Sequence, residues 1–315
     1  MNISVVIPLL NERDSINELS KSIIEIMNVY NFSFEIIFID DGSNDGSWEV
    51  VKKLSNEKNF IKGIKFQKNY GKSQALHAGF IKAEGNVVFT MDADLQDDPK
   101  EIPEMYNMIV NDNYELVSGW KKKRFDSILA KNIPSKIFNF AARITSGINL
   151  NDFNCGLKAY KKEVIKNINV YGEMHRFIPV LAKNAGYKKI GQKIVNHKAR
   201  KHGKTKFGPS RFLYGFLDLL TIWFISSFGK RPMHLFGSIG LIMLTTGLIF
   251  AVYLGYDKLF INTAARLITE RPEFYISLAT MIIGSQFFSM GFIGELMLKN
   301  INKKAQYKIS KKINL

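Results

Sequence analysis

The sequence predicts an α/β domain, a mostly parallel sheet with helices on both faces, followed by a juxtamembrane amphipathic helix and two transmembrane helices. Three observations carry this. Apolar runs alternate with helical patterns through the first 120 residues. A window of more than forty residues, Met174 to Leu217, then holds no acid. Two stretches near the C-terminus lack Asp, Glu, Lys and Arg, and each exceeds the ~20 residues that cross a bilayer.

The elements follow in order. ISVVIPL is a continuous apolar run, and after it Ile16, Leu19, Ile23, Ile24 and Met27 share one helical face. FEIIFID is a second run, closed by the turn residues DGSNDGS and a helix through Trp48, Val51 and Leu54. IKGIKF precedes a helix from Gly71 to Ala83, NVVFTMD precedes one opening at Pro99, and YELVSGW is a fifth strand. Strands that are apolar throughout belong to a parallel sheet covered on both sides. Ligands of such sheets bind beyond the carboxyl ends of the strands. That rule gathers Asn11–Glu12, Asp40–Asp41 and Asp92–Asp94 on one rim.

The chain of 315 residues carries 44 basic and 28 acidic side chains, a formal charge of +16. Such a charge suits nucleic acid or an anionic membrane. No helix-turn-helix, zinc-finger or RNA-recognition pattern is present, so no nucleic-acid partner is expected. The membrane explains the charge instead. Met233–Tyr256 and Phe274–Gly294 read as spans, and the acid-free window lies just ahead of the first. RFLYGFLDLLTIWFISSF reads as an interfacial helix, since Asp218 in its middle argues against a third span. The alternative for the two spans, buried core helices, fails on length and on the lack of a polar face. Lysines crowd the tail while the connecting loop is balanced, so the positive-inside rule puts both termini in the cytoplasm. The N-terminus lacks a signal peptide's charged leader, and the single cysteine, Cys155, rules out an intramolecular disulfide.

The run VVFTMDADLQDDP drives a strand into four acids, which repel one another unless something positive joins them. Asp92 and Asp94 are two apart and share a side if the strand stays extended, with Gln96 next. Paired carboxylates suit a hard cation, Mg²⁺ or Mn²⁺, completed by waters and substrate phosphates. Asp97 and Asp98, before Pro99, read as N-terminal residues of the next helix.

Taken in order, VIPLLNE, DDGSNDGS, GKSQAL, DADLQDDP and DFNCGLKAY resemble the family 2 glycosyltransferases of GT-A fold, within them the polyprenyl-phosphate branch. The Q-x-x-R-W of processive polysaccharide synthases is missing. The resemblance implies that Pro8, Glu12, Asp40, Asp41 and Lys72 contact the nucleotide. It implies that Asp92, Asp94 and Gln96 hold the metal and diphosphate, and that Asp152 stands near the reacting centre with Asp94. Lys131, Ser135 and Arg200 match positions that hold the acceptor phosphate. Lys204 and Lys206 are added from the basic window. Two departures are visible. Leu10 stands where Tyr is common, and Lys131 where Arg is usual, replacing a fork by a point charge.

The expected reaction is inverting transfer of one sugar from a UDP- or GDP-linked donor to a membrane polyprenyl phosphate; composition suggests the undecaprenyl form. The acceptor is already largely dianionic at neutral pH, so Asp152 is expected to orient rather than to deprotonate. The alternatives are transfer to another lipid, such as a diacylglycerol, or an inactive nucleotide-binding scaffold. The expected division is a cytosolic catalytic domain at 1–206 and an interfacial helix at 207–232. Spans at 233–256 and 274–298 flank an outer loop at 257–273, and a basic tail occupies 299–315. Gly284, Gly291 and Gly294, with Ser285 and Gln286, would let spans pack closely, the basis for an expected homo-oligomer. His175, His197 and Cys155 are read as structural, since no ligand spacing or base partner accompanies them.

Overall fold

The computed structural model describes residues 1–122, 133–198, 220, 221, 224, 228, 231–264, 266–299 and 309–314, with side chains except at 133–138, 141, 298, 299, 309, 310 and 312. The chain forms two units, Met1–Trp223 with Ala305–Leu315, and Phe224–Lys304.

The first unit is built on one eight-stranded sheet. Its strands are β1 (Ile3–Leu9), β2 (Phe34–Asp40), β3 (Ile61–Phe66), β4 (Val87–Thr90), β5 (Leu116–Trp120), β6 (Lys158–Lys161), β7 (Ile190–Ile194) and β8 (Ile309–Ile313). Their spatial order is β7-β5-β6-β4-β1-β2-β3-β8. Only β6 and β8 run against the rest. The helices are α1 (Arg13–Val29), α2 (Ser47–Glu57), α3 (Lys72–Lys82), α4 (Ile102–Val110), α5 (Ile133–Ser146), α6 (Lys162–Asn167) and α7 (Ile178–Asn184). Ile16, Leu19, Ile23 and Met27 on α1 and Trp48 and Val51 on α2 are buried with Ile3, Ile36, Phe38 and Phe89 of the strands. Removing that surface from water is the main term holding the layers together.

The sequence reading needs two corrections here. The fourth strand ends at Thr90, with one more ladder bond at Met91, so Asp92 and Asp94 lie in a turn and strand alternation does not govern them. Leu95 takes φ +62 inside that turn, a left-handed conformation that costs a non-glycine residue roughly 1–2 kcal/mol. The tail, read as a basic extension, contains β8. Residues Gly63–Phe66 of β3 pair with Ile309–Ile313, and Asn314 Nδ2 donates to the carbonyls of Ser55 (2.8 Å) and Ile61 (3.3 Å). A strand there covers an edge whose N–H and C=O groups would otherwise be unpaired.

The second unit holds two long apolar helices, Pro232–Tyr256 and Pro272–Lys299. Ile242, Ile249, Ile276 and Phe292 are exposed on their outer faces, unlike the side chains of a buried core helix. Gly240 and Gly284 face each other across the pair. A Cβ added to Gly240 would lie 2.6 Å from the Gly284 carbonyl oxygen, and Ser277 Oγ donates to the Gly247 carbonyl at 2.7 Å. The glycines that suggested an oligomer therefore serve contacts within the chain. The interfacial helix expected over 207–232 falls almost wholly outside the described residues.

Candidate active site

β4, β1 and β2 are adjacent and parallel, which brings the residues after Thr90, Leu9 and Asp40 to one rim. The loops after β1 and β2 are laced together. The Asn11 N–H donates to Ser43 Oγ at 2.8 Å, the Glu12 N–H donates to Ser47 Oγ at 3.0 Å, and Asn44 N–H donates to Asn11 Oδ1 at 3.0 Å. Asp40 is fully buried, and its Oδ1 accepts the Ser43 N–H at 2.8 Å. Asp41 accepts from the backbone of the next loop, Tyr70 N–H at 2.7 Å and Gly71 N–H at 2.9 Å. Burial raises its carboxyl, against those two hydrogen bonds. Asp41 thus fixes the turn that starts α3 and places Lys72 at the rim.

Lys72 Nζ lies 2.5 Å from Asp92 Oδ1, with the side chains 33% and 29% exposed. Burial alone would raise the Asp92 carboxyl. Lys72, Lys121 and Lys158 more than reverse that, holding it well below the carboxylate range. Its carboxylate sits directly over Gly156, where an added Cβ would come within 2.5 Å of Oδ2. Only glycine leaves room for that approach. Asp94 Oδ1 accepts the Gln96 N–H at 3.2 Å, and Gln96 Nε2 lies 3.4 Å from His197 Nε2.

Pro8, Lys72, Asp92, Asn154, Gly156 and Lys158 line one crevice. Asp152 is 1% exposed; its Oδ1 accepts the Asn154 N–H at 3.0 Å and its carbonyl accepts from Ser118 Oγ at 3.2 Å. It organises the DFNCG loop that meets Asp92. Ser135 belongs to α5, its side chain outside the description, and Lys131, Arg200, Lys204 and Lys206 lie outside the described residues.

The remaining acids of the run have other partners. Asp97 Oδ1 pairs with Lys121 at 2.8 Å, both side chains nearly buried, and Asp98 with Lys198 at 2.9 Å. Glu101 pairs with Lys193, which also reaches Glu104 at 2.8 Å. Asp98 also caps the short helix Pro99–Glu101 through the Lys100 N–H, in keeping with its reading from sequence. His197 bridges to Asp97, and His175 packs on Ser73, its N–H donating to Oγ at 2.9 Å. Cys155 is buried and its thiol is pushed up to about 12, chiefly by burial, so it stays protonated and unreactive.

Sequence reasoning missed Lys121, Gly156 and Lys158. The last is buried in β6, its Nζ donating to the Cys155 carbonyl, and burial lowers its pKa. A lysine opening an otherwise compact strand in DFNCGLKAY was the available signal.

A divalent cation fits this donor set. Among the described residues no three His, Cys, Asp or Glu side chains converge. Two carboxylates and the Gln96 amide oxygen would be completed by donor phosphates, as Mg²⁺ and Mn²⁺ accept.

Comparisons with known proteins identify the fold and the family. The glucosyl-3-phosphoglycerate synthase of Mycobacterium tuberculosis, solved with Mn²⁺, uridine diphosphate and phosphoglyceric acid, superposes with a TM-score of 0.56. It is 19% identical, over 70% of this chain and 78% of that one, and so shares the fold. The dodecaprenyl-phosphate galacturonate synthase of Rhizobium johnstonii is 34% identical over 95% of this chain and 88% of its own. The undecaprenyl-phosphate 4-deoxy-4-formamido-L-arabinose transferase of Pseudomonas syringae pv. syringae is 31% identical over 94% and 85%. The profile of glycosyl transferase family 2 matches residues 4–168, from β1 past the DFNCG loop. With its rim, its acidic turn and these relatives in agreement, the chain belongs to glycosyl transferase family 2.

Proposed function

We propose that this chain transfers a single sugar, with inversion, from a nucleoside-diphosphate sugar to a polyprenyl phosphate on the cytosolic face of a membrane. The observation that carries the reading is the convergence of the Asp92–Gln96 turn, Lys72 and the Asp152–Gly156 loop on one crevice. The lipid phosphates in the names of both relatives, which match nearly end to end, support the acceptor class.

Pro8, Glu12, Asp40 and Asp41 form the nucleotide side, with Asp41 acting through the loop that carries Lys72. Asp92, Asp94 and Gln96 would hold Mg²⁺ or Mn²⁺, which when bound neutralises charge developing on the departing diphosphate. Lys72 leaves Asp92 for a phosphate oxygen as the donor enters. The acceptor phosphate oxygen attacks the anomeric carbon, the bond from that carbon to the diphosphate oxygen breaks, and the nucleoside diphosphate leaves with the electron pair. No proton needs removal from a dianionic phosphate, which suits a sealed Asp152 that fixes its loop. Lys131, Ser135, Arg200, Lys204 and Lys206 are proposed as acceptor-phosphate contacts. β8 supports a topology with both flanks of the two apolar helices on one side of a membrane, since it pairs with β3 although the helices lie between them in sequence.

Label from a panel of UDP- and GDP-sugars, galacturonate and 4-deoxy-4-formamido-L-arabinose among them, tests this in detergent with undecaprenyl phosphate and Mg²⁺ or Mn²⁺. The expected result is acid-labile label in the organic phase from one donor. Label appearing only with diacylglycerol, or nucleotide binding without transfer, would overturn it.

A further inference from the structure

The turn that joins the two apolar helices is built around one ion pair. Asp257 follows the first helix, Pro232–Tyr256, at the negative end of its dipole. Arg271 precedes the second, Pro272–Lys299, at the positive end of its own. Each charge is disfavoured by its own helix, and the two neutralise each other. Arg271 Nη1 donates to Asp257 Oδ2 at 2.7 Å, and Asn262 Nδ2 donates to Asp257 Oδ1 at 2.7 Å. The Asp257 carbonyl accepts the Asn262 N–H at 2.7 Å, closing one wide turn over Asp257–Ile261. Farther along, Glu270 Oε2 accepts the Leu267 N–H at 3.3 Å, and the Leu267 carbonyl accepts the Glu270 N–H at 3.0 Å. Lys258 Nζ donates to the Thr263 carbonyl at 2.8 Å.

Beside the ion pair this frame leaves a cleft of about 360 Å³, within the roughly 300–1,000 Å³ of small-molecule sites. One wall is apolar and aromatic, made by Phe250, Tyr253 and Leu254. The other carries Arg266, Glu270 and Glu273. Among the described residues Arg266 and Glu273 have no ion-pair partner, and Glu270 spends one carboxylate oxygen on the Leu267 N–H. With Asp257 and Arg271 cancelling, the cleft presents one cation and two acids against an apolar wall. That balance repels a purely anionic ligand, and an apolar ligand leaves the charges unused. An amphiphile with a phosphate and an ammonium group satisfies all of them.

We propose that this cleft binds the headgroup of a zwitterionic phospholipid that carries a primary amine, as phosphatidylethanolamine does. Two observations select a lipid. The cleft lies at the joined ends of two helices long and apolar enough to cross a membrane, which is where headgroups lie. Exposed Tyr253, Tyr256, Phe260 and Tyr275 flank the same ends, as aromatic side chains do at headgroup level. Arg266 takes the phosphate with its planar fork. The ammonium donates N–H groups to Glu270 and Glu273, and the acyl chains leave along Phe250 and Tyr253. A glycerol headgroup brings no cation to the two acids, and a choline brings no N–H. The inference does not rest on the proposed function.

The test uses the full chain in nanodiscs of phosphatidylcholine. The one native thiol, Cys155, is buried and protonated, so an introduced cysteine labels selectively. A fluorophore is placed at Leu267→Cys, a position whose bonds to Glu270 run through its backbone, or at Met290→Cys on the second helix as the reference. Both native side chains are exposed, at 59% and 52%. Phosphatidylethanolamine, phosphatidylglycerol or phosphatidylcholine with a nitroxide high on one acyl chain is added at the same low fraction. The ethanolamine lipid is expected to quench position 267 about twofold or more beyond the other two, with no such difference at position 290. Arg266→Gln should erase the excess, and so should Glu270→Gln combined with Glu273→Gln. Equal quenching of position 267 by all three lipids would overturn the proposal, and a protein surface seated in the cleft would give that result. An excess for phosphatidylglycerol or phosphatidylcholine, or an ethanolamine excess that survives the substitutions, would overturn it too. No donor or acceptor is present, so this result and the transfer assay can fail separately.

Discussion

The two halves of DADLQDDPKEIPE have the same chemistry and opposite fates. Asp97, Asp98, Glu101 and Glu104 are knitted to Lys121, Lys198 and Lys193, which fasten the turn to the end of β5, to β7 and to the segment after β7. Asp92 instead faces a crevice, and the lysine paired with it there is a third exposed. Acids in one run thus divide into those that hold the turn and those the turn presents. What separates them is the crevice: Asp92 and Lys72 line it, and the four other acids do not.

Breaking the holding half should show as lost stability. Asp97→Asn leaves Lys121 buried without its counter-ion, and a loss of about 3–5 kcal/mol is expected, read as a lowered thermal midpoint in detergent. Lys121→Met added to Asp97→Asn should recover much of it, since the stranded charge is gone. If Asp97→Asn is as stable as wild type, the division fails.

The presenting half should respond in rate. Gly156→Ala pushes a methyl into the Asp92 carboxylate, and transfer should fall about 100-fold with little change in midpoint, since a displacement near 1 Å at a reacting centre costs that much. An unchanged rate would mean that Asp92 need not occupy its cradle.

A smaller effect sharpens the electrostatics of the crevice. Burial, then Lys72, Arg176 and Lys158, hold His175 well below its ordinary pKa. The unfolded chain therefore binds the proton more readily, so stability is full above pH ~6.5 and lost as pH falls toward the folded value. His175→Gln should remove about 1 kcal/mol of the acid-side decline between pH ~7.5 and ~5.5, measured by denaturant midpoints. An identical decline in both proteins would place the titration elsewhere.

Much of this was legible in the sequence because apolar strands and turn residues announce themselves. β1, β2 and β4 and the rim they share follow from VVI, IIF and VVF runs ending in polar turns. β6 and β8 did not, because KAYK and ISKKI carry lysines that mask a strand pairing through its backbone. Glu35 breaks the pattern the other way: an acid inside β2, fully buried, it is satisfied by Lys62 at 2.8 Å and by Ser4 Oγ at 2.5 Å. The candidate site was legible as a motif but not as a shape. Nothing in DADLQ signals that Leu95 turns left-handed, and nothing in DDGS signals that Asp41 is spent on the Tyr70–Gly71 backbone. Such facts depend on which distant loop arrives.

The most direct test sets Asp94→Asn beside Asp98→Asn in one transfer assay with Mn²⁺ supplied, with thermal midpoints measured in parallel. The account predicts a loss of about 10²–10³-fold for Asp94→Asn at an unchanged midpoint. Asp98→Asn, whose partner Lys198 is largely exposed, should keep its rate within about threefold. Equal losses in both variants, or a fully active Asp94→Asn, would contradict it.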